Sequence, residues 1–128
     1  MGSAIGVSKP RRDVVREDRI HEEAIADAYG PEEQAMGWYY YLESKIHFPF
    51  SAKCIAAHPL SPLRKGETVS ARRLAPEHLC AHDMLVRAAW QGRNFATPLS
   101  QLMPVATDPS TQEAIADWHY WAVRGYLL

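Results

Sequence analysis

The spacing of apolar residues along this chain changes period twice, dividing it into a helical part, a strand-rich part and a second helical part. From Glu17 onward, Ile20, Ala24 and Ala28 recur every four residues with Ile25 beside them, which predicts a first helix up to Gly30. Gly30 can end that helix, and Pro31 suits the first position of the next. Glu32 and Glu33 then fall in its first turn, where carboxylates offset the positive end of the helix dipole. Ala35, Trp38 or Tyr39, Leu42 and Ile46 form one stripe of this second helix, widened by Tyr40 and Tyr41. It is expected to end near His47, ahead of Phe48-Pro49-Phe50. The middle reads as strands at 52–57, 68–74, 84–90, 95–97 and 103–105, separated by Pro, Gly and polar turns. A one-turn helix over 98–102 should precede the last strand. After Asp108-Pro109-Ser110 the helical period returns, with Ile115, Trp118, Ala122 and Tyr126 on one face and Asp108 or Ser110 as N-cap. The fold expected is α+β, with N- and C-terminal helices packed against a small curled antiparallel sheet or SH3-like barrel.

Composition narrows the picture without identifying a chemistry. The 128 residues fit one domain over 17–128, while residues 1–16 show neither period and read as a disordered leader. Fourteen basic against fifteen acidic residues give no field for nucleic acid or membrane, and Arg11-Arg12 and Arg72-Arg73 are too short for a nucleic-acid footprint. There is no apolar run long enough to span a bilayer and no signal-type segment, so a cytoplasmic protein is expected. Cys54 and Cys80 read as reduced.

The segments DAYGPEEQAMGWYYYLE from Asp27 to Glu43, FPFSAKCI from Phe48 to Ile55, WQG followed by PLSQLMPV, and DWHYW from Asp117 to Trp121 together resemble the small bacterial calcium-binding protein family of the CcbP type. They occur in the family's order and cover most of the chain from Arg19 to Tyr126. The resemblance implies a non-enzymatic calcium buffer or sensor, with Ca2+ as its ligand.

Two places could hold such an ion. Glu23-Ala24-Ile25-Ala26-Asp27 recurs identically as Glu113-Ala114-Ile115-Ala116-Asp117, and each copy sets a Glu beside an Asp on a helix. If the two helices run side by side, these four carboxylates converge, joined by Glu32 at the acidic corner near Gly30. Calcium, with 6–8 oxygen ligands and tolerant geometry, suits such a set. The plainer reading is that both strings are solvated helix faces. The second place is the loop from Glu77 to Asp83. The resemblance implies a more acidic loop than this one, which has His78 and Leu79 where acids are expected, so Glu77 and Asp83 alone should not hold calcium tightly. His78, Cys80 and His82 alternate and would share a side if extended, which leaves zinc as an alternative ligand.

Other chemistries find no motif. The chain has no EF-hand loop, Gly-rich phosphate loop, HExxH or GxSxG. His21, His47 and His58 have no metal-spaced partner. Against the calcium reading stands an SH3-like protein-interaction module using the aromatic clusters at 38–41 and 118–121 to hold a protein partner.

Overall fold

The computed structural model of the chain describes residues 11–125. Helix α1 (Val14–Arg19) starts at Asp13, whose carboxylate accepts the Arg16 N–H, and runs on into a π-helical stretch (Ile20–Ala24). It thus begins and ends a few residues earlier than the four-residue spacing suggests. The wide last turn closes through Ile25 N–H donating to Ile20 C=O at 3.0 Å, and Asp27 then reverses the chain at φ 57°. Of the expected leader, residues 1–10 lie outside the described residues, and 14–16 already belong to α1. Helix α2 (Pro31–Lys45) starts at Pro31 as expected, and helix α3 (Pro109–Val123) is capped by Asp108, which accepts the Thr111 N–H at 2.7 Å. Tyr126, placed on the apolar face of α3 by its spacing, is outside the described residues.

Between α2 and α3 lie β1 (Phe50–Cys54), β2 (Thr68–Leu74), β3 (Leu85–Trp90), β4 (Arg93–Pro98) and β5 (Leu102–Val105). A one-turn 3-10 helix at Leu99–Gln101 feeds β5, where the sequence placed it. All pairings are antiparallel in the order β4-β3-β2-β1-β5. The edge strands β4 and β5 do not pair with each other, so the sheet is open and the barrel alternative does not hold. Alternation sends Ala52, Cys54, Val69, Ala71, Val86 and Ala88 into the core.

Trp38, on α2, centres the helical half of that core. Its ring stands edge-on to Trp118 at 5.0 Å and to Tyr41 at 5.8 Å, and tilted to Trp121 at 5.7 Å. Trp38 and Trp118 are wholly buried and Trp121 nearly so, so these three rings are packing, while Tyr40 of the 38–41 cluster is half-exposed. Close approach of α1 to α2 depends on Gly37, because a Cβ there would stand 2.3 Å from the Ala24 carbonyl oxygen at the end of the π-helical stretch.

Two substitutions test this packing. Trp38→Ala should lower the stability read by urea or thermal melting by roughly 3–5 kcal/mol. Gly37→Ala is the more discriminating. In an open helix it would stabilise by about 1 kcal/mol, whereas against an immovable backbone carbonyl the overpacking cost should prevail, leaving a net loss of about 1–2 kcal/mol. A Gly37→Ala protein melting at or above the parent temperature would show that α1 does not press on α2 there.

Candidate functional site

The two identical strings come to one side of the molecule, but not as a cage of four carboxylates. Asp117 is completely buried, and both its oxygens are taken. Arg16 donates to Oδ1 at 2.5 Å, Arg19 to Oδ1 at 2.7 Å and to Oδ2 at 3.1 Å, and the Tyr41 hydroxyl to Oδ2 at 2.7 Å. Its hydrogen bond to Asp117 raises the Arg19 guanidinium still further above its usual range. Glu113 lies 3.7 Å from the same Arg19, and Glu23 lies 3.4 Å from Lys45. Asp27 is exposed in the turn beyond the helix. The expected convergence of Glu23, Asp27, Glu113 and Asp117 on one ion is therefore not what the fold builds, because arginine and lysine occupy the space a divalent cation would need. Among the described residues no group of three His, Cys, Asp or Glu side chains stands ready to share a metal.

The zinc alternative fails for a different reason. Residues 77–79 form a 3-10 turn, not an extended run, so alternation does not apply to them. Cys80 turns inward, wholly buried, and its sulfur accepts the Leu85 N–H at 3.5 Å, while His78 and His82 stay in solvent. Burial also pushes the Cys80 thiol up from its ordinary pKa, disfavouring the thiolate that zinc requires. Asp83, half-buried, has its carboxyl pKa raised, mainly by loss of solvent.

What the fold does bring together are residues from the two places that the sequence kept apart. Glu32, in the first turn of α2, and Glu77, in the 3-10 turn after β2, line one groove of about 470 Å³ with Met36 and His78. At its end the Tyr40 hydroxyl meets both carboxylate oxygens of Glu77, at 2.8 and 2.7 Å, and that hydrogen bond raises the phenol's pKa. One residue earlier, the Tyr39 hydroxyl donates to Ala75 C=O at 2.7 Å, pinning the loop to the helix. Glu32, Met36 and Tyr40 follow each other at four-residue steps, so the stripe facing this loop was present in the sequence. Periodicity alone sets Tyr40 in the widened apolar arc of the helix, whereas its ring is half-exposed.

Comparison with known proteins bears on this arrangement. A family described as calcium binding, Calci_bind_CcbP, matches residues 18–122. The crystal structure of Anabaena CcbP is 41% identical, with a TM-score of 0.83 over 95% of this chain and 100% of that one. A calcium-binding protein solved in its calcium-binding form is 40% identical, with a TM-score of 0.81 over 93% of this chain and 98% of that one. No curated protein sequence matches the chain.

Two outcomes follow from the buried charges. Asp117→Asn should destabilise the fold by about 3 kcal/mol in urea melts, near the low end for a broken buried pair because Arg16 and Arg19 keep some solvent contact. A neutral effect would mean that the pair is not holding α1 to α3. The second outcome concerns alkali. Tyr41 and Tyr120 have pKa values raised above 10.0, chiefly by burial and then by donating to Asp117 and Glu17. A raised folded-state value gives stability that is complete below the unfolded pKa and is lost as pH climbs through the folded one. Raising the pH above 10 should therefore destabilise the protein, with part of the tyrosinate absorbance appearing only with loss of the circular dichroism signal. Ionisation of all tyrosines in a still-folded protein would contradict this.

Proposed function

The chain belongs to the CcbP-type family of calcium-binding proteins, and from that premise we propose that it is a non-enzymatic calcium buffer or sensor which takes the ion in the groove between Glu32 and Glu77. The observation that carries this reading is the meeting of two carboxylates, 45 residues apart in sequence, on one solvent-accessible groove. The donor chemistry fits: both side chains offer hard oxygen, and the one nearby thiol is turned into the core. Together they supply at most four of the 6–8 oxygens calcium takes, so water completes the shell and the site is on the weak side. The positive end of α2 also lies close, a cost of a few tenths of a kcal/mol that the Glu32 charge offsets. Tyr40 orients Glu77, and the Tyr39 anchor keeps the loop in place.

Asp27 and Glu33 add negative potential at the same helix corner without lining the groove. Glu23, Glu113 and Asp117 are engaged with cations and are assigned to stability. None of the described helices is long and apolar enough to cross a membrane. Both cysteines are free, which supports a reducing compartment such as the cytoplasm.

Calorimetric titration of the metal-stripped protein with calcium tests the assignment. Replacing Glu32 and Glu77 together by Gln should weaken binding at least about tenfold, equivalent to about 1.4 kcal/mol, with an unchanged far-ultraviolet spectrum. Glu23→Gln and Asp27→Asn should bind nearly as the parent does, and zinc should not compete through His78 and His82. Full calcium affinity in the Glu32/Glu77 double variant would move the site elsewhere.

A further inference from the structure

The outer face of the sheet holds a pair of charges that the calcium reading leaves unexplained. A bulge at Arg72 on β2 shifts the register so that Arg73 stands directly opposite Arg87 on β3. Neighbours in this position have Cβ atoms about 5 Å apart on the same face, and like charges so placed repel. Among the described residues neither guanidinium comes within ion-pair distance of a carboxylate. Arg87 Nε is in addition shut off from solvent and meets no acceptor. The surrounding outward positions offer no internal counter-ion: Ser51, Lys53, Ser70, Asn94 and Ala96 include no carboxylate. Glu43 lines the same cleft as Arg73 but forms no ion pair with it.

We propose that Arg73 and Arg87 form a clamp for a phosphate monoester dianion, an anion site separate from the calcium groove. Two adjacent guanidiniums present planar forks of N–H donors suited to phosphate oxygens, and a dianion neutralises both charges where a single carboxylate would leave one uncompensated. The aromatic rings that share the Arg73 cleft, Tyr39 and Phe48, are buried or half-buried and present no open face for bases to stack on, so a single phosphate group fits the face better than a nucleic-acid strand.

Nitrogen-15 spectra of the arginine Nε–H groups read this directly, recorded in calcium-free buffer because phosphate precipitates calcium. Inorganic phosphate should move the Arg87 resonance saturably, with sodium chloride at matched ionic strength as the control. The affinity should fall by about tenfold or more in Arg73→Gln, and that of a phosphate monoester such as O-phosphoserine should also fall as the pH drops below about 6, where its dianion takes up a proton. Glu43→Gln should bind at least as tightly as the parent. O-phosphoserine titrated in parallel distinguishes a phosphorylated side chain from the free ion by which of the two binds more tightly. An equal shift with chloride or acetate, or undiminished binding in a folded Arg73→Gln protein, would overturn the proposal.

Discussion

The fold depends on keeping one carboxylate out of water. Asp117 sits at zero exposure between two arginines from α1 and a tyrosine from α2, so a single ionised group on α3 ties three helices together. An ionised carboxylate that lost these partners would be intolerable in that position, which makes the arrangement close to all-or-none. Glu17 repeats the device one step along: it accepts from the Tyr120 hydroxyl at 2.6 Å and from Arg12 at 3.0 Å, and the Tyr120 oxygen in turn accepts the Asp13 N–H. The two buried acids, one on each helix, fix how α1 lies across α3.

That clamp sets the frame for the aromatic core. With α1 held, the π-helical turn presses the Ala24 carbonyl onto Gly37, and α2 is brought near enough for Trp38 to reach Trp118 and Trp121. The same helix then turns its other face outward, where Glu32, Met36 and Tyr40 meet the loop after β2. A helix gripped on one side by tryptophans and on the other by the Tyr39 and Tyr40 hydroxyls gives that loop a rigid wall. Two carboxylates from distant parts of the chain, Glu32 and Glu77, line one groove along it.

Charge is segregated although the chain as a whole is nearly neutral, with a formal net charge of −1. Glu22, Glu32, Glu33 and Glu43 stand exposed along the first two helical segments, while the outward face of β2 and β3 carries Arg73 and Arg87, which form no ion pair among the described residues. Coulomb attraction to a cation or an anion falls off over about 10 Å in physiological salt, so local patches matter here and the net charge does not.

Local pattern determined much of this protein. The start of α2 at Pro31, the Asp108 cap of α3, the short helix before the last strand and the burial of Trp38 and Trp118 all follow from periodicity and turn chemistry, which act over a few residues. Whether the sheet closes does not, because closure depends on β4 and β5 meeting from opposite ends of it. The fate of the two identical strings shows the boundary most plainly. Asp27 and Asp117 share the same five-residue context, yet one is exposed in a turn and the other is wholly buried, since burial is decided by partners about 100 residues away. Glu32 and Glu77 are likewise ordinary surface acids in sequence, and only the docking of a loop against a helix brings them to one groove. Cys80, which alternation would have set beside two histidines, is instead wholly buried at the end of a 3-10 turn, where the backbone is not extended and side chains do not alternate.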